Sequence, residues 1–113
     1  MTDDRTGDQL LQMLNALANP HRLRILAALS ERQSYVSELA RELGIGRPLL
    51  HMHLQTLERA GLVVGRHEIS DDGKALRFYE VADFDEHLTP ARVREATKTL
   101  SPDGEPRGKV RSP

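Results

Sequence analysis

At 113 residues the chain has room for one small core and not for two, which excludes a catalytic domain joined to a separate regulatory one. It has no Cys and no Trp, and only two Phe and two Tyr. Disulfides, thiolate-bound metals, iron–sulfur clusters and thiol catalysis are therefore excluded, and the core must be built from Leu, Val, Ile and Ala. Sixteen Lys and Arg against seventeen Asp and Glu leave a net charge of −1, so any nucleic acid must be held by a local patch and not by bulk charge.

The acidic opening Met1-Thr2-Asp3-Asp4 lacks the pattern of a secretory signal. The longest apolar run, Ile25 to Leu29, has five residues, against roughly 20 needed to cross a bilayer. A cytoplasmic protein without membrane contact is expected. Residues 1–7 are polar, and residues 101–113 hold one apolar side chain among three Pro and two Gly; both ends are expected to be disordered, around a single domain at 8–100.

Leu10, Met13, Leu14 and Leu17 fall at i, i+3, i+4 and i+7 and predict a first helix over Asp8–Ala18. Asn19 suits an N-cap with Pro20 in the first turn, and Leu23, Ile25, Leu26, Ala27 and Leu29 then cover enough circumference for a central helix that runs to about Glu31. Val36, Leu39, Ala40 and Leu43 stripe a short third helix, Gly44-Ile45-Gly46 breaks it, and Leu50, Leu54 and Leu57 stripe a fourth that ends at Ala60-Gly61. This is a helix, a tight turn and a helix, with Gly44 supplying the positive φ of the turn. Leu62-Val63-Val64 and Arg77-Phe78-Tyr79-Glu80-Val81 read as strands of a hairpin turning at Ser70-Asp71-Asp72-Gly73. Thr89-Pro90 then opens a last helix striped by Leu88, Val93, Ala96 and Leu100.

The segment Leu17-Ala18-Asn19-Pro20-His21-Arg22-Leu23-Arg24-Ile25-Leu26, then Ser37-Glu38-Leu39-Ala40, then His53-Leu54 with Leu57 and Glu58-Arg59-Ala60-Gly61-Leu62-Val63, resembles the ArsR/SmtB family of bacterial winged-helix regulators. The resemblance covers about residues 10–100 and implies a mainly α winged helix-turn-helix in the order α-α-α-α-β-β-α, with the hairpin as the wing. It also implies a homodimer paired through the first and last helices, which makes Leu10, Met13, Leu14, Leu17, Val93, Ala96 and Leu100 the candidate dimerisation residues. Leu49 to Arg59 fall on the DNA-reading helix. The implied function is sequence-specific regulation of transcription from a near-palindromic operator on double-stranded DNA.

On a helix that starts at Gly46, the core stripe turns Arg47, Pro48, His51, Met52, Gln55 and Arg59 outwards. Arg47 suits a guanine or a phosphate, Gln55 an adenine, His51 a base edge, and Met52 or Leu49 a thymine methyl. Arg66, Lys74 and Arg77 on the hairpin are candidates for the DNA backbone. Over residues 44–81 five Arg and Lys face five Asp and Glu, so the local charge is also balanced. The acidic pair Asp71 and Asp72 at the hairpin tip is read as a solvated turn in which Asp71 caps its own backbone.

Where the family carries Cys-Val-Cys at the start of the short helix, this chain has Tyr35-Val36-Ser37, which removes thiolate sensing of arsenic, cadmium or lead. Asp85-Glu86-His87 matches the opening of a second family metal site, but the position of the closing His is Lys98. In an extended stretch Asp83, Asp85 and His87 point the same way, a candidate half-site for nickel, zinc or cobalt to be completed by His21, His67 or Glu95 of either subunit. His53, beside the core stripe, reads as a packed, hydrogen-bonded residue. The competing function is a winged-helix module that binds a protein co-regulator; the absence of aromatics on the reading helix favours DNA. No phosphate loop, Cys nucleophile or His-Glu-x-x-His is present, so an enzyme is not expected.

Overall fold

The computed structural model describes residues 4–102; the disorder expected of residues 1–3 and 103–113 lies outside the described residues. Within them the chain forms α1 (Gly7–Leu17), α2 (Pro20–Glu31), β1 (Ser34–Tyr35), α3 (Val36–Leu43), α4 (Arg47–Arg59), β2 (Val63–Ile69), β3 (Ala75–Val81) and α5 (Pro90–Thr97). This is the winged helix-turn-helix order expected from the sequence, with one addition. Ser34 and Tyr35 pair antiparallel with Tyr79 and Phe78, so the hairpin becomes a three-stranded sheet of order β1-β3-β2. Two residues are too few for a period to reveal. The hairpin strands also run further than their apolar centres suggested, with Val63 opposite Val81 and Ile69 opposite Ala75.

The helix ends follow local chemistry. The Thr6 hydroxyl accepts from Gln9 N at 3.2 Å and the Gln9 side chain accepts from Thr6 N at 2.9 Å, a reciprocal cap that starts α1 at Gly7. Asn19 and Thr89 cap α2 and α5 by accepting from Arg22 N at 3.2 Å and Arg92 N at 3.1 Å, each followed by Pro. Gly44 has φ +67° and closes α3 in the left-handed region, as the turn requires. At the wing tip Ser70, not Asp71, organises the turn: its hydroxyl accepts from Lys74 N at 3.1 Å and donates to the Asp72 carboxylate. That bond holds the Asp72 carboxyl below its ordinary range.

The core lies where α2, α3 and α4 meet the root of the sheet. Ile25, Leu39, Leu50, Leu54, Leu57, Leu62 and Tyr79 are fully buried, each aliphatic contributing on the order of 1.5–3 kcal/mol. Tyr79 is the one large aromatic among them. Its hydroxyl accepts from Arg77 Nη2 at 2.9 Å and Nε at 3.3 Å, and the ring lies directly over Gly65 on β2, where an added Cβ would stand 2.6 Å from Cε1.

The two ends of the domain close on each other. Gly7 N donates to the Thr99 hydroxyl at 2.6 Å, and Ser101 N donates to the buried Asp8 carboxylate at 2.8 Å. Ser101, assigned to the tail by composition, is itself buried. Leu10, Met13 and Ala96 are also buried within the single chain, which corrects their expected place on a dimer surface: the first two pack in the core, and Ala96 lies against Gly7, where an added Cβ would meet the Ala96 carbonyl at 2.0 Å. Leu17 is half-buried against the core. Leu14, Leu88, Val93 and Leu100 remain exposed on or beside α1 and α5.

A polar clamp joins α1, α2 and α4. Arg22 donates from Nε to Ala16 O at 2.6 Å, from Nη2 to Asn15 O at 3.3 Å, and from Nη1 to His53 Nδ1 at 3.1 Å. His53 is 4% exposed. Burial, then Arg22, then His21 hold its imidazole below the ordinary value.

Two outcomes are expected. Gly65→Ala should lose about 1–3 kcal/mol of unfolding free energy, because Tyr79 is fixed at both ring and hydroxyl and cannot give way; urea unfolding would read this as a lower midpoint at unchanged slope. Because His53 is held neutral in the fold, the unfolded chain binds the extra proton. Stability is complete above the ordinary imidazole value of about 6.5 and falls as pH is lowered through it. Urea midpoints taken from about pH 7.5 to about 5.5 should drop, and His53→Gln, which keeps an acceptor, should show a shallower drop.

Candidate nucleic-acid interface

Helix α4 separates two kinds of residue. Leu50, Leu54, Leu57 and His53 face the core, while Arg47, Pro48, Leu49, His51, Met52, Gln55 and Arg59 are all exposed. Met52, half exposed at 52%, is an apolar side chain with no intrachain burial to explain its place. Arg47, His51, Gln55 and Arg59 recur every four residues and so make one row along the outer surface. The Gln55 amide donates to His51 Nε2 at 3.3 Å; an amide nitrogen cannot accept, so the imidazole proton sits on Nδ1. Gln55 retains its carbonyl oxygen and a second N–H, the pair that adenine N6 and N7 require.

Helix α4 opens at Gly46 with no side-chain cap and with Pro48 in its first turn. Its first amides are therefore left to solvent or to an anion. Arg47 and Arg59 have no ion-pair partner among the described residues, nor has Lys74 at the wing tip. These are the cations that the fold leaves available.

The other two wing candidates are engaged within the chain. Arg66 donates to Glu80 at 3.0 Å, to Glu68 at 3.4 Å and to Gln33 at 3.1 Å, and lies over the Phe78 ring at 4.7 Å. It braces the sheet face opposite the one carrying Arg77 and Tyr79, since neighbouring strand residues alternate. Arg77 holds the Tyr79 hydroxyl, contacts His67 Nε2 at 2.9 Å and lies 3.9 Å from Glu58 of α4. Its hydrogen bonds to Tyr79 keep the guanidinium firmly protonated.

A cleft of about 340 Å³ lies between the wing and the helix-turn-helix. Its walls come from Tyr35, Val36 and Ser37 at the start of α3, Arg47 and His51 on α4, and Ala75, Leu76 and Arg77 on β3. The sequence pattern did not reveal Tyr35 and Ser37 as neighbours of the reading helix. Only the β1–β3 pairing brings them there.

The expected metal half-site assembles only in part. His87 Nε2 lies 3.3 Å from Asp85 Oδ1, consistent with side chains two apart on an extended stretch. His21 is elsewhere, its ring 5.4 Å from that of His53. His67 contacts Arg77, and Glu95 pairs with Lys98 at 3.1 Å. Among the described residues no three His, Cys, Asp or Glu side chains converge on one point. Asp83, Asp85, His87 and His21 therefore do not form a divalent-ion site in one chain, because a pair of donors falls short of the four or more that nickel, zinc or cobalt takes. Among the described residues no helix is long and apolar enough to cross a membrane.

Comparison with known proteins agrees with this architecture. The family model for bacterial regulatory proteins of the arsR family matches residues 19–64, from the cap of α2 into β2. The HTH-type transcriptional regulator CmtR of Mycobacterium bovis is 36% identical over 91 residues, covering 80% of this chain and 71% of CmtR. The uncharacterized HTH-type transcriptional regulator MJ0229 of Methanocaldococcus jannaschii is 36% identical over 75 residues, 66% of this chain and 78% of that protein. The solution structure of the homodimeric winged helix-turn-helix DNA-binding domain Mb0332 from Mycobacterium bovis superposes with a TM-score of 0.61 at 32% identity, covering 67% of this chain and 66% of the other. With an uncommitted polar row on α4, a wing paired to the start of α3 and relatives matched across both, the chain belongs to the ArsR/SmtB family of winged helix-turn-helix transcriptional regulators, which bind DNA and are not enzymes.

Proposed function

We propose that two copies of the chain bind a near-palindromic operator, with α4 of each in the major groove and each hairpin over the flanking backbone. The observation that carries this reading is the outer row of α4. Arg47, His51, Gln55 and Arg59 include no carboxylate and brace no other element, yet their side chains match the donors and acceptors that base edges present. Leu49 and Met52 lie alongside them and offer apolar surface to a thymine methyl.

The dimer is inferred from exposed apolar groups and from the homodimeric neighbour. Leu14 on α1, Leu88 beside α5, and Val93 and Leu100 on or just past α5 are exposed, Val93 at 53% and Leu88 at 54%. They lie on the elements that close on each other through Gly7, Thr99, Asp8 and Ser101, so a partner would cover a prebuilt surface. A two-fold axis there implies that the two reading helices face half-sites related by the same symmetry.

The test is fluorescence anisotropy on DNA from upstream of the coding sequence against a scrambled duplex. Arg47→Ala and Gln55→Ala should each reduce the preference for operator by roughly 5- to 150-fold, the equivalent of about 1–3 kcal/mol per bidentate contact, while thermal unfolding stays unchanged. Lys74→Ala should instead weaken both duplexes alike and make the dependence on salt shallower by about one ion per protomer. Discrimination that survives in both α4 variants would overturn the assignment of α4 as the reading helix.

A further inference from the structure

We propose that the cleft between the first turns of α3 and α4 and strand β3 binds a small aromatic carboxylate, and that this ligand competes with DNA. The second half rests on the DNA-binding reading above; the first does not. The cleft's 340 Å³ is at the small end of the range of known ligand sites, about 300–1,000 Å³, and suits a single ring with one charged substituent.

Its two halves differ in chemistry. Val36, Ala75, Leu76 and the ring of Tyr35 make an apolar side. Tyr35 is a fixed wall, since its ring meets Phe78 edge-on at 4.7 Å and its hydroxyl donates to Glu68 at 3.2 Å. Arg47, His51 and Arg77 make the other side, and no carboxylate lines the cleft, although the chain has more acids than bases. The nearest acid to Arg77, Glu58 at 3.9 Å, is not among the lining residues.

A bare phosphate would use only the cationic half, whereas a benzoate-like molecule uses both. Its carboxylate would lie between Arg47, which has no ion-pair partner among the described residues, and Arg77, which Tyr79 and His67 already hold in place. Such charge-assisted bonds to a preplaced guanidinium are among the stronger polar contacts, and the ring would cover Val36 and Leu76. Arg47 and His51 belong to the outer row of α4, so an occupied cleft withdraws them from the DNA.

The test uses the full chain with ¹³C-labelled methyl groups, benzoate as the probe and inorganic phosphate as the control. Benzoate should shift the Val36 and Leu76 methyl signals saturably, with a Kd on the order of 1 mM, and should leave Val93 unmoved; phosphate should not shift them. Arg47→Gln should weaken benzoate roughly tenfold, and Leu76→Glu should abolish its binding. Because Leu76→Glu places a charge in a half-buried position, the exposed Arg47→Gln variant keeps the test decisive should it fail to fold. At a benzoate concentration about nine times its Kd, the Kd for operator should rise about tenfold, as competition requires. No saturable shift, or equal shifts from phosphate, would overturn the site, the latter outcome making it a plain anion seat. Benzoate bound at Val36 and Leu76 with operator affinity unchanged would overturn the competition. Failure of the DNA-binding reading would show separately, as no preference for operator before any benzoate is added.

Discussion

The guanidinium of Arg22 reaches the last turn of α1 through Asn15 O and Ala16 O, and the inner face of α4 through His53 Nδ1. The carbonyls at a helix C-terminus carry the negative end of its dipole, so a cation placed there is favoured before any side chain joins it. By donating to Nδ1, Arg22 selects the imidazole tautomer with its proton on Nε2, and that nitrogen is buried without a partner. An unsatisfied buried donor costs about 1–3 kcal/mol. The fold accepts this at the one place where the helix that reads DNA is attached to the helix expected to meet a second subunit. Asn19 caps the helix that carries Arg22, so the clamp in turn depends on the Asn-Pro opening of α2.

With its charge nearly balanced, the protein relies on where its cations are committed. Arg66 is held by Glu68, Glu80, Gln33 and the Phe78 ring, Arg77 by Tyr79 and His67, and Arg92 by Glu86 at 2.6 Å. Exposed pairs of this kind add little stability, but they remove charge from the outer surface. What is left for a polyanion is concentrated on α4 and at the wing tip. A small set of available cations gives modest non-specific attraction, and discrimination between sequences must then come from base edges and from the fit of two half-sites.

The helices were legible because each carries a strong local signal: an apolar stripe at helical spacing with Asn19-Pro20, Thr89-Pro90 or Gly44 at its boundary. The outward residues of α4 followed from the same period. Strand β1 was not legible, since two residues have no period and Ser34-Tyr35 acquires its strand character only from pairing with β3. Arg66 and Arg77 look equivalent in the sequence, and only the alternation of the sheet assigns one to the outer brace and the other to Tyr79. Leu10, Met13 and Ala96 show the same limit from another side: a stripe says that a residue is covered, but not whether its own chain or another covers it. The Asp85–His87 pair was foreseen from its spacing, while the absence of a third donor depends on where His21, His67 and Glu95 lie in three dimensions.

The short pairing of Ser34 and Tyr35 with Tyr79 and Phe78 has a mechanical meaning. Such hairpins are often drawn as a flexible arm, yet here the arm is hydrogen-bonded to the residue that opens α3, and α3 is joined to α4 by a tight turn. Reading helix and wing therefore tilt together as one stiff lever with its pivot near Arg22. A signal that acts at α1 or α5 has little scope to bend the wing alone; it works by changing the separation and pitch of two levers. DNA sets the ruler for that separation at one helical turn, about 34–36 Å between half-sites, and a displacement of a few ångströms at the pivot is enough to take both levers out of step with it.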